Sequence, residues 1–272
     1  MKSAITVSLV KEAKGGPFVF WDGIEDAASK AAALGYDAIE IFPPNADVLD
    51  SDEVLATVKQ HGLAVAAVGT GGGWVIRKTH LCLPDEGARS AAKEFIGHII
   101  DKAATLNAPA IIGSMQGKWG DGVTREQALE WLAEGLNELG ERAAAKGQFL
   151  LYEPLNRYET NLFNKVSETV GLLKALATKN VKILADLFHM NIEEADVAAA
   201  IRACGNHIGH IHFVDSNRRA VGMGHTDFAP IVAALKDINY GGYLSAEAFP
   251  LPDSDACAKQ QITGYNQFVK GA

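Results

Sequence analysis

Residues 149–186 read FLLYEPLNRYETNLFNKVSETVGLLKALATKNVKILAD. An apolar run at 149–152 closes on Glu153. A polar loop follows, then a segment with helical periodicity from near Ser167, then a second apolar run at 181–185 that closes on Asp186. Both runs are short and apolar at successive positions, so both faces must be covered, as in parallel strands flanked by helices. The same unit repeats outward in both directions. Strands are expected at 4–10, 38–41, 64–68, 110–112, 149–152, 181–185, 208–213 and 243–246, with helices beginning near Ile24, Asp52, Arg89, Thr124, Ser167, Ile192, Phe228 and Ala256. Eight strands alternating with eight helices predict an α/β fold, a (β/α)8 TIM barrel, as a single domain over residues 1–272. A doubly wound open sheet is the alternative. It is disfavoured because no Gly-rich dinucleotide fingerprint follows the first strand and no Pro/Gly/Ser-rich linker divides the chain.

Cap chemistry supports several helix starts. Thr124-x-x-Gln127 and Asn191-x-x-Glu194 match the capping box, and Asp22-x-x-Glu25 resembles it. Leu129, Leu132, Leu136 and Leu139 recur at three- and four-residue steps and are expected to face the barrel. Gly62, Gly147 and Gly205 stand where a left-handed residue would end a helix. The longest irregular stretch, 69–87, is expected to fold over the barrel mouth.

Barrels of this kind place their active sites at the C-terminal ends of the strands. The runs FLLYE, VKILAD, IGHIHF and GYLSAE carry Glu153, Asp186, His212 and Glu247 at or next to those ends. Four adjacent strands would therefore aim three carboxylates and one imidazole at one point. A single acid at a strand end is as readily explained as the cap of the next helix; all four together are not. Hard oxygen donors with one imidazole suit Mn²⁺, Mg²⁺ or Co²⁺ better than a structural zinc ion, and open positions on such an ion can polarise a carbonyl. A polar motif follows three of the ligands: EPLNRYE ends on Glu159, DLFHMN contains His189, and HFVDSNR contains Arg218. Arg157 is read as a helix-facing salt bridge. His189, three residues beyond a ligand, is read as functional.

Bulk composition narrows the partners. The formal net charge is −8 and no basic cluster is present, so no field exists to neutralise phosphates, and neither nucleic acid nor an anionic membrane is expected to bind. Three scattered cysteines, Cys82, Cys204 and Cys257, without a C-x-x-C pair, read as buried thiols in a reducing compartment. No apolar stretch approaches the ~18 residues of a membrane span, and the N-terminal run is too short for a signal peptide. A cytoplasmic location is expected.

EPLNRYET, LADLFHMNIEE, HIHFVDSNR and GHTDF resemble the sugar isomerase/epimerase superfamily of xylose isomerase-like barrels, above all the D-tagatose 3-epimerase and D-allulose (psicose) 3-epimerase group. The resemblance is strong over 153–247 and weak before it. It implies one Mn²⁺ ion, with Co²⁺ or Mg²⁺ as substitutes, held by Glu153, Asp186, His212 and Glu247. It also implies substrate contacts from Glu159, His189 and Arg218. In the mechanism it implies, the ion binds O2 and O3 of an open-chain ketose. One of Glu153 and Glu247 removes the C3 proton, and the other returns a proton to the opposite face of the enediolate. Dimers or tetramers are common in the group, so a homo-oligomer is expected.

The first half departs from the aromatic pattern of ketose 3-epimerases after the first strand and reads KEAKGGPFVFWDG instead. Phe18, Phe20, Trp21, Trp74 and Trp119 are candidate walls for a sugar. His225 in GHTDF is a further candidate in the mouth. GSMQGKWGDG supplies Gln116 and Lys118; a solvated loop lysine is the default reading of the latter. These departures leave hydroxypyruvate isomerase-type, inosose-type and 3-keto-glycoside chemistry open on the same barrel. An apurinic-site endonuclease of the endonuclease IV type would need three zinc ions and histidines after strands three and four, where VGTGGG and IGSMQG stand. A sugar-binding barrel without chemistry would need no paired carboxylates. The GTGGG run has no following Lys-Ser/Thr and reads as a flexible lid rather than a phosphate loop.

Overall fold

The computed structural model describes residues 1–271. Eight parallel strands, β1 (Lys2–Ser8), β2 (Ala38–Phe42), β3 (Ala64–Gly69), β4 (Ala110–Ile112), β5 (Leu150–Tyr152), β6 (Val181–Asp186), β7 (Ile208–His212) and β8 (Tyr243–Ala246), form a closed barrel in sequence order. Closure runs from Lys2 opposite Tyr243 to Ile5 opposite Ala246. Among the described residues ten α-helices surround it: α1 (Ile24–Leu34), α2 (Ser51–Gln60), α3 (Gly72–Arg77), α4 (Glu86–Thr105), α5 (Arg125–Ala144), α6 (Val166–Ala175), α7 (Leu187–Glu193), α8 (Val197–Cys204), α9 (Phe228–Asp237) and α10 (Ser254–Tyr265). None is long and apolar enough to cross a membrane.

The strands are apolar on both faces because they serve two cores. Ile5, Val7, Ile39, Ile41, Ile183 and Ile211 share the outer core with helix residues such as Ile96, Leu132, Leu136 and Leu139. Ala4, Ala38 and Ala66 make a small layer toward the strand starts, and Phe42, Ala67, Ile111, Leu151 and Leu184 make another cluster. Because alternate residues of a strand share a face, Glu40 stands on the same side of β2 as Ala38 and Phe42, inside the barrel. It is fully buried.

The helix boundaries sharpen several expectations. Thr124 and Gln127 form the capping box at the start of α5. Gly62, Gly147 and Gly205 have positive φ, at 69°, 74° and 55°. The helix expected near Ile192 is instead two short ones. Asp186 caps α7 through hydrogen bonds to the Phe188 and His189 amides, and Asp196 caps α8. Asn191 therefore lies inside α7 and caps nothing, because the chain turns into helix directly at the end of β6. At α1, Gly23 with φ 98° occupies the N-cap and no side chain caps it, so Asp22 does not play that part. Asp85 caps α4, which begins at Glu86, three residues ahead of Arg89. The stretch 69–87 contains α3, and Gly71, Gly72, Trp74 and Val75 from it line the mouth of the barrel.

Candidate metal centre and substrate cavity

The C-terminal ends of four adjacent strands converge. Asp186 and His212 are direct partners in the β6–β7 register, Glu153 follows β5 by one residue, and Glu247 follows β8 by one. His212 Nδ1 lies 3.4 Å from Glu153 Oε1, 3.3 Å from Asp186 Oδ2 and 3.6 Å from Glu247 Oε2. One ligand atom of each of the four residues lies within 4.8 Å of all the others, and all four residues are buried. Neighbouring donors around a small divalent ion bound at about 2.1 Å sit about 3 Å apart, so these atoms stand close to ligand spacing.

Several observations test whether the pocket fits an ion. Glu153 Oε1 is buried without a hydrogen-bond partner. Gly113, just after β4, leaves the space its carboxylate occupies: a Cβ there would lie 2.6 Å from Glu153 Oε2. Burial, reinforced by the charges of Glu153 and Asp186, pushes the Glu247 carboxyl up to about 8, and burial also raises Glu153. Asp186 goes the other way: burial opposes its charge, but His189, His212 and Arg218 hold it below the usual carboxylate range. Buried carboxylates crowded in this way need a compensating cation, and three oxygens with one imidazole suit a hard or borderline divalent ion. The residues fit such a group.

Behind His212 lies a feature absent from the sequence reading. Its Nε2 is 3.0 Å from Glu40 Oε1, and His210 Nε2 is 2.6 Å from Glu40 Oε2. With Nδ1 facing the three carboxylates, the Nε2 proton of His212 is donated to Glu40, an arrangement that fixes the tautomer of a metal-binding imidazole. Burial alone would raise the Glu40 carboxyl; the two imidazoles hold it well below the usual range. The signal was present in the sequence: an acid between Ala38 and Phe42 on the inward face of an apolar strand must have a partner.

The remaining polar groups stand around this centre. His189 Nδ1 accepts the Asn156 backbone N–H at 3.2 Å, which leaves the proton of the neutral ring on Nε2. That atom is buried without a partner, 3.8 Å from Glu153 Oε1 and 3.7 Å from Asp186 Oδ2. Burial and the nearby Arg218 and His212 push this imidazole down to about 3, so it stays neutral. Asn156 also donates to Glu159 Oε1 at 2.9 Å. Arg218 pairs with Glu247, approaches Asp186 Oδ2 at 3.5 Å and lies 5.0 Å from the centroid of the Phe188 ring. Its backbone has φ 57°, held by a loop built on buried Asp215, whose carboxylate accepts N–H groups from Ser216, Gly222 and Thr226.

A cavity of about 350 Å³ opens over the centre, with Phe18, Phe42, Trp74 and Leu155 as apolar wall and Glu153, Glu159, Arg218 and Glu247 as polar lining. Four candidate residues lie elsewhere. Trp21 donates its indole N–H to Phe18 O at 2.7 Å and borders a separate cavity with Ser8, Leu9, Lys11 and Lys14; Phe18 takes the wall position. Trp119 is tied to Asn161 by three hydrogen bonds. His225 is exposed, its amide bonded to Ser216 Oγ. Phe20 is buried in the outer core. Arg157 forms the expected salt bridge, 2.9 Å from Glu193 on α7. Gln116 is structural, bonded to Tyr152 and to the Gly113 and Glu153 carbonyls.

Comparison with known proteins agrees with this architecture. The family described as xylose isomerase-like TIM barrel matches residues 28–263. The chain belongs to that family. It is 33% identical over 241 residues to a D-psicose 3-epimerase of Agrobacterium fabrum (strain C58), covering 87% of this chain and 80% of that protein. It is 29% identical over 225 residues to a 3-dehydro-D-guloside 4-epimerase of Escherichia coli (strain K12), covering 79% and 82%. Among solved structures, that of a D-psicose 3-epimerase in the presence of D-fructose superposes with a TM-score of 0.82 at 25% identity, covering 99% of both chains. The family member described here is an enzyme of the isomerase class.

Proposed function

We propose that the protein is a divalent-metal-dependent ketose 3-epimerase, using Mn²⁺ with Co²⁺ or Mg²⁺ as substitutes. One observation carries this reading: two buried carboxylates, Glu153 and Glu247, reach the same cavity from β5 and β8, three strands apart around the ring of eight. Epimerisation needs a base on one face of the substrate and an acid on the other, whereas a single group suffices for binding. An ion held by Glu153, Asp186, His212 and Glu247 would supply Lewis-acid polarisation of the keto oxygen. One of Glu153 and Glu247 removes the proton on the carbon next to the carbonyl, and the other delivers a proton to the opposite face. His189 donates from Nε2 to a substrate oxygen, Arg218 neutralises charge developing beside it, and Glu159 orients a terminal hydroxyl. Phe18, Phe42 and Trp74 exclude water from the reacting carbon.

The likeness to psicose 3-epimerases supports position 3 of a free ketose. A second reading, a 3-keto-glycoside as substrate, is favoured by a second cavity of about 290 Å³ that shares Trp74, Ser114, Leu155 and Glu159 with the first and by the likeness to the guloside 4-epimerase. The buried free thiols support a cytoplasmic setting, and assembly as a dimer or tetramer belongs to the same reading. The test is proton exchange. Mn²⁺-loaded protein is incubated in D₂O with D-fructose, D-tagatose, D-allulose and L-ribulose, and the C3 signal is followed by NMR. Exchange with formation of the C3 epimer is expected; absence of exchange in all four, with the metal bound, would rule out the free-ketose assignment.

A further inference from the structure

Asn156 stands midway between Glu153 and Glu159 in the loop after β5, and the chemistry proposed above gives it no part. It is buried, and every polar atom it has is used. Its Oδ1 accepts the Tyr158 amide at 2.9 Å, and its main-chain oxygen accepts the amides of Glu159 at 3.0 Å and Thr160 at 3.2 Å. Its Nδ2 lies 2.9 Å from Glu159 Oε1 and 2.7 Å from His189 Nδ1, and its main-chain N–H points at the same His189 atom. The orientation of the amide is settled by its neighbours. The Tyr158 N–H requires Oδ1 on one side, and a carboxylate that can only accept requires the NH₂ on the other. Among the described residues it makes no hydrogen bond to Glu153, Asp186, His212 or Glu247.

A primary amide has two N–H donors, and here one goes to each of two groups that the proposed chemistry sets against the substrate. With two N–H groups aimed at it, His189 Nδ1 must present its lone pair, so the unpartnered Nε2 is held as a donor. Glu159 is the opposite case. Its side chain is 41% exposed, so packing alone leaves the carboxylate free to turn, and the Arg218 guanidinium stands off at 3.9 Å. The bond from Asn156 Nδ2 is what aims it. A fixed donor beside a fixed acceptor reads a ketone oxygen beside a hydroxyl, the pattern of C2 and C1 in a ketose. A substrate without that hydroxyl leaves the acceptor unpaired and is rejected. We propose that Asn156 is the positioning residue behind this discrimination: by holding His189 as donor and Glu159 as acceptor, it makes the site select a hydroxymethyl ketone over the corresponding methyl ketone.

This inference rests on the epimerase reading, and the experiment separates the two. The Mn²⁺-loaded parent, Asn156→Ala and Asn156→Asp are each given the four free ketoses and their 1-deoxy counterparts in D₂O, and deuterium entry at C3 is followed by NMR. The parent is expected to prefer a ketose over its 1-deoxy counterpart by at least about ten-fold in kcat/KM, the low end for a hydrogen bond to a charged group. Asn156→Ala should bring that ratio to within about three-fold, because Glu159 is no longer aimed. The order of the two variants excludes a merely structural role. Aspartate keeps the shape of asparagine and the acceptor for the Tyr158 amide, so a side chain that only supports the loop would be damaged more by alanine. Aspartate also sets an oxygen against Glu159 Oε1 and His189 Nδ1, so a positioning residue is damaged more by aspartate, and kcat/KM on the ketoses should be lower in Asn156→Asp than in Asn156→Ala. Nitrogen NMR of the Mg²⁺-loaded parent should show His189 protonated on Nε2 and bare at Nδ1. Exchange on free ketoses with a ratio that is absent in the parent or survives in Asn156→Ala overturns the inference and leaves the epimerase reading standing. So does alanine as the more damaging change, or a proton on His189 Nδ1. Silence on every ketose with metal bound removes both.

Discussion

Replacing Glu40 by glutamine tests the geometry behind the metal centre most directly. The two Glu40 oxygens each receive one imidazole N–H, from His210 at 2.6 Å and His212 at 3.0 Å. A glutamine has one acceptor oxygen and one NH₂. The shorter contact keeps the carbonyl on His210, so the NH₂ turns toward the Nε2–H of His212, and a donor then faces a donor inside a fully buried site. The ring must rotate or give up the tautomer that presents Nδ1 as a ligand. Carboxylates that orient a metal-bound histidine typically contribute 10- to 100-fold in metal affinity, about 1.4–2.7 kcal/mol, and the donor clash puts Glu40→Gln at the upper end. The assay is calorimetric titration of Mn²⁺ into chelator-stripped protein, with circular dichroism of the stripped variant as a check on folding. A folded variant with affinity within about three-fold of the parent would show that Glu40 does not set the orientation of His212.

Other perturbations separate ligation, catalysis and stability. Glu247→Gln, kept loaded with excess Mn²⁺, should abolish deuterium exchange; exchange persisting in that variant would remove Glu247 from proton transfer. Gly113→Ala places a methyl 2.6 Å from Glu153 Oε2 and should weaken Mn²⁺ binding by at least about ten-fold, read by the same titration, with an unaltered affinity showing that the loop relaxes instead. Burial would raise the Glu193 carboxyl, but hydrogen bonds from the Arg157 side chain and amide hold it below its usual range. A lowered folded-state pKa contributes stability that is present above the unfolded carboxylate value and is lost as pH falls through the folded one. Urea midpoints measured from neutral to acid pH should therefore fall less steeply for Glu193→Gln than for the parent, and parallel curves would argue against that role.

What could be read in advance follows from which interactions are local. The barrel was legible because strand and helix periodicities are properties of neighbouring residues, and the strand ends fell within two or three residues of expectation. The carboxylates and histidine that converge were legible because each closes a strand. Glu40 and His210 were not picked out, since their meeting spans 170 residues and depends on which face of β2 and β7 turns inward. The tryptophans were harder still. Trp21 and Trp74 both follow strands, yet one is turned to its own loop carbonyl and the other to the cavity, and that outcome is decided by loop backbone that no periodicity encodes. Asn191 failed as a cap because Asp186 already supplies the acceptor at the start of α7.

The closure of the barrel also sets when the centre can form. Glu153, Asp186 and His212 come from consecutive strands β5, β6 and β7, and each needs only its immediate neighbour to be placed. Glu247 follows β8, which pairs with β7 on one side and, across more than 230 residues of chain, with β1 on the other, a join also fastened by the Thr6 hydroxyl on Ala246 O at 2.7 Å. Contacts so distant in sequence form slowly. A chain emerging from the ribosome therefore carries a three-donor precursor before it carries the finished four-donor site, and the last ligand arrives together with the seam that seals the ring. Acquisition of the ion with its full affinity is then coupled to completion of the fold, and a metal-sensitive signal recorded during refolding would report the final step of assembly.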